Sequence, residues 1–475
     1  MKYLRVACLI FFLSIVCGGC RLGPTYQSPC VETPEEWKSA PSCPNDQASI
    51  PFWWEIFNDD TLSCLEQQAI VQSPQLFAAL DRVAEARAIV GVDRSSLYPH
   101  LNLAPTYSDS AQLFKLYLPP GFGTAPGASF PTIYRIHQFQ YTMPLNMSYE
   151  IDLWGKLRGQ YDSAVYSAQA REEDLQSALL TLTADLAVAY YKLRALDAQL
   201  SIAEYHVSLM RNALQLTQSR FKKGIVNEQD TLTAEQNLSN SEAAYYDISQ
   251  QRAIEENAIA VYIGIPPSLF HLDRTPLTSL PPNICPNLPS EVLLQRPDIR
   301  AAERTAAAQH AMIGVAYASF FPSIQLTGAL GFSSPDLVQF LSWKSRLWGL
   351  GASAAQTVFD AGRNKSNLDL QYALFNEASN DYQQQVLIAF QEVEDSLVTL
   401  EMETKQYRSY EISAKAANKR TQLSSNRYQK GLSNYLEVIN NEVLKTESDS
   451  TLVNMQGLRF ISTIQLIKAL GGTLP

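Results

Sequence analysis

Between Pro144 and Pro266 the chain has no proline, and through this stretch apolar residues step by three and four: Leu179, Leu182, Leu186, Ala189, Leu193, Leu196, Leu200, Ala203, Val207, Met210 and Leu214. That spacing keeps one oily seam on one side of a helix, the pattern of a coiled coil. A helix from about Gly155 to Lys223 would be a rod of ~100 Å at a rise of 1.5 Å per residue. No globular core needs an element of that length, so an extended helical assembly is expected.

The design is written twice. A shift of 207 positions lays "RFKKGIV" (Arg220–Val226) on "RYQKGLS" (Arg427–Ser433) and Gly264 on Gly471. Asp152 and Gly155 answer to Asp360 and Gly362 with one residue inserted, and a shift of 223 lays "LYP" (97–99) on "FFP" (320–322). Two tandem units are too few and too long for a solenoid. The second long helix, about 362–430, also lacks proline. Its seam (Val386, Phe390, Val393, Leu397, Leu400) decays into Thr404, Tyr407, Glu411, Ala414 and Asn418. A plain pair of coiled coils would fit the seams but leaves the strands unexplained.

Ahead of the first rod, residues 139–153 alternate strictly. Phe139, Tyr141, Met143, Leu145, Met147, Tyr149, Ile151 and Leu153 face one way; Gln140, Thr142, Pro144, Asn146, Ser148, Glu150 and Asp152 face the other. Membrane-barrel strands alternate lipid-facing and lumen-facing residues in this manner, over more residues than an ordinary strand has. Strands are expected at about 101–112, 138–153, 323–333 and 347–360, with loops at 118–131 and 333–346. Four strands alone cannot close in lipid, because open edges leave backbone groups unpaired. Two copies would give a barrel plugged by its own side chains, whereas three give room for an aqueous lumen. A trimer is expected, its lumen lined by the polar face that holds Glu150 and Asp152.

At the N-terminus, Lys2 and Arg5 precede the apolar run Ala7–Val16 and the residues "CGGC" (17–20). These are the parts of a secretory signal, too short to span a bilayer permanently. Gly18 and Gly19 before Cys20 resemble a lipobox, with Cys17 where leucine is usual; a plain signal peptide is the alternative. Export leaves Cys30, Cys43, Cys64 and Cys285 in an oxidising compartment. Cys30–Cys43 with Cys64–Cys285 is one of three pairings, and four free cysteines are equally compatible. The net charge of −10 argues against nucleic acid as a partner. The histidines (His100, His137, His206, His271, His310) are scattered without a metalloprotease, nucleophile-elbow or phosphate-loop motif. Neither enzyme chemistry nor a cofactor is expected.

Five segments in order carry a family resemblance: "FWWEIFNDDTLSCLEQQAI", "YEIDLWGKLRG", "LLQRPDIRAAE", "SFFPSIQLTGALGF" and "VFDAGRNKS". Together they resemble the TolC-like outer-membrane efflux family, in its lipoprotein branch associated with RND-type pumps. The resemblance spans essentially everything after the signal, with Gln295 where the third motif usually has Arg. It implies a mainly α fold with a membrane β-barrel, built from a duplicated helix–strand–strand–long-helix–helix unit. Three copies would form a homotrimeric 12-stranded barrel, four strands per chain, continued by a long periplasmic α-helical barrel. The expected divisions are a signal peptide (1–19), a lipidated strap (20–60), a first repeat with its equatorial linker (61–290) and a second repeat (291–475).

The function implied is the outer-membrane exit channel of a tripartite efflux system. It would be passive, lipid-anchored at Cys20, and joined to a periplasmic adaptor and an RND-type inner-membrane pump. Drugs or other small toxic compounds are the expected cargo. Metal-ion efflux, type I protein secretion and a non-transporting periplasmic rod are the alternatives.

The doubled motif gains meaning at the far ends of the rods. Gly224 and Gly431 sit where a left-handed residue ends a helix, and Lys222, Lys223 and Lys430 sit where cations suit the helix C-terminus. Capping alone does not explain apolar residues on an exposed tip. By resemblance, Gly224, Ile225, Val226, Gly431, Leu432 and Ser433 dock the adaptor's hairpins, with Lys223 and Lys430 where the family has valine. Also by resemblance, Glu437 and Asn440 ring the periplasmic gate, Asp230 lies at the matching place in the first hairpin, and Tyr428 helps latch the closed state.

Overall fold

The structure, a computed structural model, describes residues 22–38, 52–116, 132–284, 289 and 295–472. Its elements are α1 (Asp60–Gln72), α2 (Pro74–Ser95), β1 (His100–Leu103), β2 (Thr106–Leu116), β3 (Thr132–Ile151), α3 (Lys156–Lys222), α4 (Glu228–Tyr262), α5 (Pro297–Ala318), β4 (Ser323–Ser334), β5 (Arg346–Ala355), α6 (Arg363–Gln429) and α7 (Tyr435–Ala469). Both α3 and α6 have 67 residues, and both α4 and α7 have 35. The shift of 207 positions therefore carries the first helix pair onto the second, end to end, with no gap. No described helix is long and apolar enough to cross a membrane.

The chain divides into two compact units. The first comprises residues up to Ser28, Ala86–Ala168 and Thr305–Ala378 and contains the sheet. All its pairings are antiparallel: β1 and β2 both lie along β3, β3 pairs with β4, and β4 with β5. Where one strand was expected over about 101–112, the ladder breaks at Pro105, which has no N–H to donate. Ala104 keeps the strands in step through its N–H to Pro144 O (3.2 Å). Every residue of β1 and β5 is exposed, and the outer edge of each is unpaired among the described residues.

At the end of β3, Asp152 is bound to the start of the long helix. Its carboxylate accepts from the N–H groups of Leu157 (3.2 Å) and Arg158 (3.0 Å) and from Arg158 Nε (3.0 Å). Asp360 likewise accepts from Gly362 N–H (3.0 Å) and Asn364 N–H (2.9 Å) ahead of α6. Carboxylates are favoured at helix N-termini, where free N–H groups gather. Glu150 bonds Lys156 Nζ at 3.1 Å. The two acids expected on the lumen face are thus engaged at the strand–helix junction.

The second unit comprises Pro29–Glu85, Gln169–Arg304 and Ser379 onward. Its core gathers the α3 seam (Leu182, Leu186, Leu193), Ile259 and Ile263 near the end of α4, and Phe460, Ile464 and Ile467 of α7. Tyr191 stacks on Phe460 with ring centroids 4.3 Å apart. Val386, Val393 and Leu397 of α6 are buried, and the seam thins beyond them where polar residues take its places. Asp59 caps α1, accepting from Thr61 N–H (3.0 Å) and Leu62 N–H (3.1 Å). Cys30 and Cys64 are exposed and not joined to each other, while Cys20, Cys43 and Cys285 lie outside the described residues.

Candidate functional site

The two helical hairpins α3–α4 and α6–α7 turn at the doubled motif, and both turns are built alike. After α3, Ile225 N–H donates to Arg220 O (2.9 Å) and Gly224 N–H to Phe221 O (2.8 Å). After α6, Leu432 N–H donates to Arg427 O (2.8 Å) and Gly431 N–H to Tyr428 O (2.9 Å). This crossed pair of bonds is the Schellman cap, and it requires a left-handed residue between them. Gly224 has φ +66° and Gly431 φ +72°, which glycine adopts without a Cβ clash.

The returning helices begin with Asn227 and Asn434, residues the motif reading passed over. Asn227 Oδ1 accepts from Asp230 N–H (2.9 Å), and Asn434 Oδ1 accepts from Glu437 N–H (2.9 Å). A signal for them was present: Asn followed three residues later by an acid, at the same offset in both copies. The copies then diverge. Asp230 completes a capping box by accepting from Asn227 N–H at 3.3 Å. Glu437 instead reaches across its hairpin to Arg427 Nη1 at 3.5 Å.

Between these caps, Ile225 and Leu432 are each 67% exposed, and Val226 and Ser433 are half-buried. Lys223 and Lys430 are also exposed. The tips therefore offer one bare aliphatic side chain apiece, next to a lysine. Behind the first tip lies a cleft of about 350 Å³ lined by Arg220, Val226, Asp230, Asn237, Ile439 and Asn440, among others. Of the four expected gate residues, the fold thus brings Asp230 and Asn440 to one cleft, although 210 positions separate them. Glu437 and Tyr428 stay on the second tip, where the Tyr428 ring meets Tyr435 at 5.2 Å. Further along the rods Tyr205 OH donates to Glu442 (3.2 Å), a bond from α3 to α7 that no motif signalled. Burial pushes the Tyr205 phenol up, and Glu442 adds to the rise.

The sequence profile of the outer membrane efflux proteins matches this chain over residues 65–265 and again over 288–472. The chain belongs to the outer membrane efflux protein family. The two matched stretches coincide with the two hairpin-bearing halves of the duplication. Among its relatives is the cation efflux system protein CusC of Escherichia coli O6:H1, 29% identical over 471 residues and 98% of each chain. The toluene efflux pump outer membrane protein TtgF of Pseudomonas putida is also 29% identical, covering 99% of this chain and 96% of its own. Among solved structures, the outer-membrane channel OprN superposes with a TM-score of 0.83 at 28% identity, over 95% of this chain and 99% of its own. This outer membrane efflux protein therefore has the fold of outer-membrane channels, as the alternating strands and paired rods lead one to expect.

Proposed function

We propose that three copies of the chain form a passive tunnel across the outer membrane and into the periplasm. Through it an adaptor and an RND-type inner-membrane pump expel drugs or other small toxic compounds. The observation that carries this reading is the antiparallel sheet, with two edges open among the described residues, joined in the chain to two 67-residue helices that end in matched exposed tips. Copies closing the sheet edge to edge satisfy backbone groups that lipid cannot. In this assembly Gly224, Ile225, Val226, Gly431, Leu432 and Ser433 mesh with the adaptor, and Glu437 and Asn440 surround the axis with Asp230 and Tyr428 behind them. An acyl chain on Cys20 adds a second hold on the membrane, since one lipid chain alone binds weakly.

Related channels are named for cargoes as different as cations and toluene, which accords with a wide duct whose pump selects the substrate. The test is drug export in cells whose only copy carries Lys223→Glu and Lys430→Glu. Reversing both tip charges should abolish resistance while leaving the protein in the outer membrane. Undiminished resistance would refute docking through these tips.

A further inference from the structure

The register of the sheet puts one charged residue into its apolar row. Met143 pairs with Phe332, and Phe332 pairs with Arg346. Residues directly opposite each other in an antiparallel pair share a face, so Arg346 belongs to the side that carries Tyr149, Leu326 and Leu330. Along β5 it is followed on that side by Trp348 and Leu350, both exposed. The duplication makes the departure plain. The shift of 207 positions that lays α6 on α3 also lays β5 on residues 139–148 of β3. Trp348 and Leu350 then fall on Tyr141 and Met143, apolar on apolar, while Arg346 falls on Phe139.

A charge on the lipid side of a barrel is costly at the bilayer midplane and nearly free at its edge. Height along the strand therefore decides what Arg346 does. The row begins at Ile324, which pairs with both Ile151 and Ala354 beside the strand–helix junctions. From Ile324 to Phe332 it climbs ~26 Å along the strand at 3.3 Å per residue. Tilted by about 40°, that is ~20 Å of height in an apolar band about 25 Å tall. Arg346 thus stands at the end of the sheet away from the helices, which in an outer-membrane channel is the outer rim.

The connection between β4 and β5 is built at that rim. Ser345 Oγ donates to Gln339 O (2.8 Å), Ser334 Oγ to Asp336 O (2.9 Å), and Asp336 Oδ1 accepts from Val338 N–H (3.0 Å). The Phe340 ring lies 6.3 Å from that of Tyr141, so the connection folds over the apolar side. Leu337, Val338 and Leu341 are exposed there, and Trp343 is 77% exposed. Arg346 Nη1 donates to the Trp343 carbonyl (2.9 Å), and its Cζ lies over the Trp343 ring at 4.9 Å. Nε and Nη2 have no partner among the described residues. Those two nitrogens form the edge of a guanidinium that matches a phosphate with two parallel bonds. Lys344, also exposed, adds a second cation next to the ring.

We propose that Arg346, oriented by Trp343, binds a phosphate of a lipid headgroup in the outer leaflet. The Nε–Nη2 edge takes two phosphate oxygens, and Trp343, Trp348 and Leu350 lie along the acyl chains below. A lipid is indicated because the guanidinium belongs to the apolar face and is flanked by exposed Trp and Leu side chains, a position at which indole rings settle between headgroups and hydrocarbon. The proposal needs the apolar face to meet lipid and is independent of how the helix tips dock.

The test is native mass spectrometry of the purified full-length protein titrated with bisphosphorylated lipid A or with the same lipid stripped of its phosphates. Wild-type protein should bind the phosphorylated lipid about tenfold more tightly, the scale of hydrogen bonds to a charged group. Arg346→Gln should remove that preference, and Arg346→Lys should keep part of it, because lysine supplies the charge without the fork. Equal wild-type affinity for the two lipids, or no binding of either, would overturn the site without recourse to any variant. A phosphate preference that survives in Arg346→Gln would assign it to other residues and also overturn the proposal. Inorganic phosphate at concentrations equal to the lipid should leave the bound lipid in place; displacement would mean a free-anion site and not a headgroup site.

Discussion

Arg427 and Glu437 stand 3.5 Å apart across the second tip, whereas Asp230, the counterpart of Glu437 on the first tip, folds back onto the Asn227 N–H at 3.3 Å. Duplication placed the same kind of carboxylate in both hairpins, and the surroundings gave each a different task. One is fixed in a cap and stiffens its own turn. The other is held by a single contact with half-exposed partners, and such a contact is worth no more than about 1 kcal/mol.

That asymmetry predicts opposite effects on ion passage. Glu437→Gln should raise single-channel conductance and lower the preference for cations, because a carboxylate ring attracts and retains them. Arg427→Gln should raise the cation preference by freeing the same carboxylate. Reversal potentials in a salt gradient measure both, and shifts of the same sign would refute the assignment.

The turn glycines should be costly to replace. Gly224→Ala and Gly431→Ala each force a Cβ into left-handed backbone, at roughly 1–2 kcal/mol per site. Asparagine should be tolerated better at either position. Thermal melting of the purified protein reads the difference, and the two sites should add because each acts within its own turn.

The N-caps offer a graded comparison. Asn227→Ala removes one side of a capping box and Asn434→Ala a single cap bond, each costing about 1 kcal/mol. Asp230→Asn should weaken the first turn, since Asp230 bonds the Asn227 backbone. Glu437→Gln should leave hydrogen exchange at the second turn nearly unchanged, since Glu437 does not close a box there.

Much of this architecture is legible in the sequence because it is local. The rods follow from an apolar seam and the lack of proline, the turns from glycine behind a helix, and the two inner strands, β3 and β4, from period-two alternation, which is weak in β1 and β2 and poor in the Gly- and Ala-rich β5. The exceptions also have local causes: the ladder along β3 breaks at Pro105, and Asp152 caps α3 where alternation alone puts it on a wall. What could not be read were relationships across the fold. Nothing near Asp230 indicates that Asn440 shares its cleft, and nothing near Glu437 singles out Arg427. Glu66 looks in sequence like one more polar residue on an amphipathic helix, yet it is wholly buried.

Glu66 gives a pH-dependent prediction. Neither oxygen has a hydrogen-bond partner, and desolvation raises its pKa well above the ordinary 4.5. The folded protein therefore favours the protonated acid. The associated stability is fully present below the ordinary carboxylate range and is lost as pH rises through the raised value. Glu66→Leu should have little effect in acid and should stabilise the protein by about 1–3 kcal/mol once the wild-type group is forced to ionise. Melting curves of both proteins across that range should diverge upward with pH; parallel curves would mean that Glu66 is paired.

The most direct test of the account is single-channel recording of the purified full-length protein in planar lipid bilayers. A trimeric tunnel with Glu437 at its constriction should give discrete, cation-preferring conductance steps. A protein that enters the bilayer and assembles there, yet passes no current at any voltage, would contradict it.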